Sequence, residues 1–247
     1  MKTATLTGYF AAAMMTVAIP VAAQDRSWDT SFTFYLWAAE TDTEITTASG
    51  VIESTLPFSD ALENLDFAFM GALETGTGPW RLIGDFAYTD LSFSSPTPEP
   101  DFGGAEADIK LQVLNVYGLY NVRSAGGWAV DVGGGARWFE TDTTLTLLPG
   151  TSPGQAARFN DNWSDPVIAA RFTYDISDRW TAVGFLDYGG FRSDSESWQA
   201  LISARYAVND QWSVVAAYRY LDIKHGPSDD AFKFSQSGPL FGVRYDF

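Results

Sequence analysis

Cysteine is missing altogether, which excludes disulfides, thiol nucleophiles and thiolate metal sites. Histidine occurs once, at His225, so a zinc site or a histidine-based relay has little to draw on. Long apolar runs are missing as well. Beyond the first two dozen residues no stretch approaches the ~20 consecutive apolar residues of a spanning helix, so any membrane crossing must be made by strands. Cations are scarce, with 15 Lys and Arg against 31 Asp and Glu and a net charge of −16. Such a chain does not suit nucleic acid, whose phosphates demand Lys and Arg.

What the chain does have is aromatic residues, 15% of its 247, at a mean hydropathy of −0.08. Strands with one oily and one polar face average to such a value. The first residues read as a signal peptide over 1–23: Lys2 is the positive start, Leu6 to Val21 the apolar region, and Val21-Ala22-Ala23 the cleavage site before Gln24. Its removal takes Lys2 away and the charge from −16 to −17. Residues 24–247 then form a single domain.

One feature recurs. Asp25-Arg26-Ser27-Trp28, Thr77-Gly78-Pro79-Trp80, Ala125-Gly126-Gly127-Trp128, Ser177-Asp178-Arg179-Trp180 and Asn209-Asp210-Gln211-Trp212 each put Trp directly after a short polar or Gly-rich segment. The last four are of the kind that reverses a chain. Trp favours the membrane–water interface, so Trp28, Trp80, Trp128, Trp180 and Trp212 are expected as a girdle on one rim. Each starts an alternating segment. Trp80, Leu82, Gly84, Phe86 and Tyr88 share a face, with Arg81, Asp85 and Thr89 opposite; Trp128, Val130, Val132 and Trp138 share another, with Asp131 and Arg137 opposite.

Returning strands are expected at about 66–76, 108–122, 164–176, 197–208 and 232–247. In the second, Ile109, Leu111 and Val113 have one parity and Leu114, Val116, Gly118 and Tyr120 the other, so a bulge is an option there. Five strands out and five back make an all-β, antiparallel up-and-down transmembrane barrel of ten strands. Eight would leave one Trp start unexplained. Twelve would need Ile45–Thr47 and Val51–Pro57 to pair as an extra hairpin. Long loops are expected opposite the tight turns, at about 40–65, 94–107, 146–163, 190–196 and 225–231. In the first, residues 58–65 read as one or two helical turns with Ser59 as N-cap, either covering the barrel top or forming an ordinary loop.

The last strand carries Phe241, Val243, Tyr245 and Phe247 on one face. It must pair with the strand after Trp28 if the sheet is to have no open edge. Its Tyr245 and terminal Phe247 resemble the closing strand of Gram-negative outer-membrane β-barrel proteins, in which such a pattern is the assembly signal. Residues 58–71 and Tyr218-Arg219-Tyr220-Leu221-Asp222 resemble stretches of small proteobacterial outer-membrane barrels. The resemblance implies the fold, an outer-membrane address, contact with lipid and lipopolysaccharide, and handling by the barrel assembly machinery. It carries over no catalytic residues.

The inward faces collect Arg81, Arg137, Arg171, Arg205, Arg219 and Arg244 against Asp85, Asp131, Asp175, Asp187 and Glu74. Buried charges persist only when paired, so a salt-bridged lumen filling a narrow barrel is the leading expectation. A narrow path for ions or small solutes is the alternative, and an outer-membrane hydrolase a third. For the last, Asp222 and His225 are three apart and would face opposite sides of a strand. No cofactor is implied. Glu40, Asp42, Glu44, Glu53, Asp60 and Glu63 in the first loop, with Glu99, Asp101 and Glu106 in the second, make divalent cations possible partners, though a solvated acidic face is the simpler reading.

Overall fold

Alternation along the chain dictates which face of each strand meets lipid, and pairing those strands in order produces one antiparallel sheet. The structure, a computed structural model, describes residues 28–47, 50–95, 102–226 and 232–247. The expected leader over 1–23 and the loop acids Glu99 and Asp101 lie outside the described residues. The elements are β1 (Asp29–Trp37), β2 (Glu40–Thr47), β3 (Gly50–Leu56), α1 (Phe58–Glu63), β4 (Leu65–Thr77), β5 (Trp80–Ser95), β6 (Phe102–Ala125), β7 (Trp128–Pro149), β8 (Gln155–Asp175), β9 (Trp180–Arg192), β10 (Ser195–Ala207), β11 (Trp212–His225) and β12 (Phe232–Asp246).

Ten of these strands close a ring. β1 pairs with β4, each strand from β4 to β12 with its successor, and β12 with β1 from Ser31↔Asp246 to Trp37↔Leu240. The seal is completed by the Phe247 N–H, which donates to the Thr30 carbonyl at 2.9 Å. β2 and β3 do form a hairpin, yet they do not enlarge the ring. β2 takes over the outer half of β12, from Glu40↔Ser237 to Ile45↔Phe232, and β3 pairs with β2.

The five Trp begin, or immediately precede, five strands on one rim. Gly78 (φ 56°), Gly126 (φ 55°) and Gly127 (φ 85°) supply the left-handed backbone that their two-residue turns need. Eight to ten positions further along, Tyr88, Trp138, Tyr188 and Tyr220 mark the other edge of the outward band, with Trp198 of β10 paired beside Tyr188, the length that a bilayer crossing requires. Within the band the outward apolar side chains are bare: Ile202 is 68% exposed and Phe241 60%. A soluble protein does not carry such a belt.

Four expectations need correction. The parity change in β6 is no bulge, because β5 and β6 stay in register from Trp80↔Tyr120 to Ser95↔Ala105. Ile109, Leu111 and Val113 point inward, against an apolar part of the lumen; the register shifts lie at the ends, at Phe102/Gly104 and Asn121/Arg123. The segment 146–163 is mostly strand rather than loop, since β7 runs 22 residues and β8 21, about twice a membrane crossing. At 190–196 a tight turn joins β9 and β10. Finally, α1 starts after Pro57 with no side-chain cap; the Ser59 hydroxyl donates to Asp60 Oδ1 instead.

Candidate functional site

Inward parity brings together side chains from strands far apart in sequence, and the lumen they fill is layered. Asp85 from β5, Asn115 from β6, Arg137 from β7, Asp187 from β9, Gln199 from β10 and Arg219 from β11 meet across the interior. Arg137 Nη2 donates to Asp187 Oδ1 and Oδ2 at 2.7 and 2.9 Å, and its Nε donates to Asn115 Oδ1 at 2.7 Å. Asn115 Nδ2 donates to Asp85 Oδ1 at 3.2 Å, and Arg219 Nη2 donates to the same oxygen at 2.9 Å. Arg219 Nε donates to Gln199 Oε1 at 2.7 Å, and Gln199 Nε2 donates to Asp187 Oδ2 at 3.0 Å. The circuit therefore closes on itself. Each amide faces a guanidinium with its oxygen and a carboxylate with its nitrogen.

Two tyrosines and a serine absorb the remaining valences. Tyr35 donates to Asp85 Oδ2 at 2.7 Å and accepts from Arg219 Nη1 at 3.0 Å; Tyr117 donates to Asp187 Oδ2 at 2.7 Å; Arg137 Nη1 donates to Ser197 at 2.9 Å. Arg219 also lies over the Trp37 ring, 4.8 Å from its centroid. Arg137 and Arg219 are each 2% exposed. Every nitrogen of both guanidiniums is engaged, which is how such charges persist away from water.

On the periplasmic side of this layer Tyr117 packs with Leu119, Val167, Ala169, Ile83 and Phe185, the rings of Tyr117 and Phe185 meeting edge-on at 5.1 Å. Beyond them lies a second set of charges. Arg171 bridges Glu74 and Asp131, each at 2.8 Å, and Arg244 reaches Glu74 at 3.3 Å and Asp246 at 2.9 Å. Arg81 comes only to 4.0 Å from Glu74 and donates to the Gly78 and Trp80 carbonyls of its own turn. Asp175 and Arg205 do not pair as expected: each contacts the Thr181 hydroxyl, at 3.0 and 3.3 Å. They sit at the wetter rim, where Asp175 is exposed and a carboxylate needs no ion partner.

On the outer side of the circuit the lumen turns apolar. A cavity of about 490 Å³ has Arg219 and Trp37 at its base. Met70, Leu91, Leu111, Val113, Leu221 and Phe234 contribute to its wall, and Phe58, Ala61 and Leu62 of α1 close one side. Sequence parity held the signal for this, because Leu111 and Val113 share the parity of Asn115, and Leu221 that of Arg219. Asn115, Tyr117, Ser197 and Gln199 have the same inward parity, but carry no charge that would single them out in the sequence. Tyr35 shares the inward parity of Ser31 and Thr33.

The groups considered for chemistry are dispersed. His225 faces inward and stacks on Trp163, centroids 4.1 Å apart and planes within 5°, whereas Asp222 lies on the opposite face as its spacing requires. Of the outer acids, Glu44 pairs with Lys233 at 2.8 Å, Asp42 accepts from Thr55 at 2.6 Å, and Glu53 and Glu63 are exposed. Among the described residues no cluster of three His, Asp or Glu is placed to hold a metal.

The architecture has counterparts among solved structures. The outer membrane protease OmpT from Escherichia coli superposes with a TM-score of 0.57 at 9% identity, over 89% of this chain and 96% of that one. The chain has the fold of an outer-membrane β-barrel. The translocator domain of the autotransporter NalP from Neisseria meningitidis aligns over 89% of this chain and 88% of that one, with a TM-score of 0.45 and 16% identity. No family model matches the sequence. No curated protein matches it either. At these identities the barrel is shared and nothing finer, so OmpT's protease activity does not transfer with it.

Proposed function

We propose that this protein is a non-enzymatic outer-membrane barrel whose lumen is sealed to ions and small polar solutes, and which acts on its outer side. The observation that carries the reading is the closed hydrogen-bond circuit Asp85–Asn115–Arg137–Asp187–Gln199–Arg219. An ion path requires sites that bind loosely enough to release. Here both guanidiniums and both carboxylates are already committed to one another, and an apolar layer backs them. The outer projection of β7 and β8 beyond Trp138 gives the barrel a stiff surface extension suited to contact outside the membrane.

Planar-bilayer recording of the folded barrel tests the seal. Wild type gives no discrete conductance steps, and the double variant Arg137→Ala/Arg219→Ala, which opens the circuit at two points, is the one in which steps should emerge. Regular steps from folded wild type would favour the channel reading instead. Catalysis is tested independently: lipid or peptide cleavage by the wild type that disappears in His225→Ala would return the hydrolase reading.

A further inference from the structure

The sheet is not continuous all the way up. β1 pairs with β4 only from Asp29↔Gly76 to Phe34↔Gly71. Among the described residues, β4 from Leu65 to Met70 has β5 on one side and no strand on the other, and the far edge of β3 is likewise without a strand. Among the described residues, then, the barrel is split between β3 and the outer end of β4, with α1 in the intervening connection. Open edges are not tolerated against hydrocarbon unless something covers them or they border a cavity. This edge borders the apolar chamber.

The height of the split follows from counting. Leu36 lies eight positions after Trp28, as Tyr88 lies eight after Trp80 and Tyr220 eight after Trp212. The split therefore opens at the outer aromatic girdle, where the outer leaflet meets water. Leu36 has the lipid-facing parity of Phe34 and is 45% exposed, yet it also lines the chamber. Leu62 of α1 does the same at 52% exposed. Chamber and lipid-facing surface are thus continuous through the split.

We infer that the chamber binds an uncharged hydrocarbon chain and exchanges it with the outer leaflet through the split beside α1. Its volume of about 490 Å³ falls within the roughly 300–1,000 Å³ of small-ligand pockets. An apolar cavity does not hold water well and gains by taking up apolar matter. Arg219, the one cation among the described residues that line it, has all its nitrogens engaged and its face against Trp37, so it offers nothing to a carboxylate or phosphate. Asp42 of β2 and Asp60 and Glu63 of α1 belong to elements that border the chamber, and their charge disfavours an anionic headgroup. Hydroxyls such as Thr89 and Thr141 on the wall accommodate at most a weakly polar end. The inference rests on the sealed base described above, since a through-path would let the ligand leave toward the periplasm.

Bromododecane is the probe, because bromine quenches tryptophan on contact and Trp37 is 4% exposed at the chamber base. Quenching is measured on detergent-folded wild type and on Trp37→Phe, and the difference isolates Trp37 from the lipid-facing tryptophans. The difference signal saturates in wild type. Ala87→Phe, which puts a ring into the cavity, weakens it about tenfold or more, and bromododecanoate binds weaker than bromododecane by a similar factor. Heat-modifiable migration on gels confirms that each variant is folded. For the route, protein is mixed with vesicles preloaded with bromododecane: Leu62→Asp slows Trp37 quenching several-fold there, a larger factor than that by which it weakens saturation in detergent. Absence of Trp37-specific quenching, or quenching indifferent to Ala87→Phe, overturns the site. Equal binding of the carboxylate overturns its selectivity, and unchanged kinetics in Leu62→Asp overturn the lateral route. Ion conductance with normal quenching would overturn the seal and leave the site standing.

Discussion

At the scale of single residues, burial decides which charges matter. Arg137 and Asp187 meet at 2.7 Å with side chains 2% and 0% exposed, whereas Lys233 and Glu44 meet at 2.8 Å with side chains 48% and 30% exposed. Asp187→Asn leaves the Arg137 charge buried without its counterion and should lower unfolding stability by about 3 kcal/mol or more. Lys233→Ala should cost well under about 1 kcal/mol, since exposed pairs contribute little. Urea unfolding in detergent, followed by tryptophan fluorescence, measures both; equal effects would contradict the account. Glycine matters where neighbouring backbones approach closely, as at Gly135. A Cβ on Gly135 would run into the Val116 carbonyl of β6, so Gly135→Ala should cost about 1–3 kcal/mol through overpacking although only a methyl is added.

At the scale of elements, the lipid face is the part that sequence shows best. Trp28, Trp80, Trp128, Trp180 and Trp212 set the phase, and strict alternation then assigns Leu82, Val132, Leu186 and Val214 outward with no further information. Val132, outward and between the two aromatic edges Trp128 and Trp138, is 41% exposed. Val132→Arg should destabilise the barrel by about 2–4 kcal/mol. The same substitution at Phe159, exposed on the projecting part of β8, should change little, because water rather than lipid surrounds it. A comparable loss at both positions, in the same urea titration, would mean that the band is misplaced. Alternation fails where both faces are apolar or both are polar. Ile109, Leu111 and Val113 suggested a slipped register because an apolar lumen was not anticipated. The stretch Gln155–Asn162 suggested a loop because, beyond the membrane, neither face of a strand needs to be oily. The helical turn over 58–65 was legible, but its place beside an open edge depends on where β1 stops pairing with β4, at Phe34↔Gly71, and no residue pattern announces that.

At the scale of the whole molecule, the barrel is divided by height. Its periplasmic half is filled by Arg171, Glu74, Asp131 and Arg244 around an apolar layer and its middle by the closed circuit, and its outer part holds the apolar chamber. Sequence parity identified the charged members Arg81, Asp85, Asp131, Arg137, Arg171, Arg219 and Arg244 as inward, but not the order in which they pair. That order depends on the stagger of strands around the ring, which brings Asp85 of β5 to Arg219 of β11 and Glu74 of β4 to Arg171 of β8. Asp175 and Arg205 fall below the paired layers for the same reason. The closing strand keeps its special place, because β12 pairs with β1, β2 and β11 at once. Phe247→Ala removes an aromatic contact to Tyr245 at 4.9 Å while leaving the backbone bond to Thr30 available. We therefore expect slower insertion into the outer membrane, seen as less heat-modifiable protein in membrane fractions, with unfolding stability nearly unchanged. Loss of stability without loss of insertion would argue against an assembly role.

The central claim is that the barrel is closed at mid-height. Single-barrel conductance across a planar bilayer addresses it most directly. No discrete steps are expected from folded wild-type protein under an applied potential. Reproducible, ion-selective steps of fixed size from the same protein would contradict it.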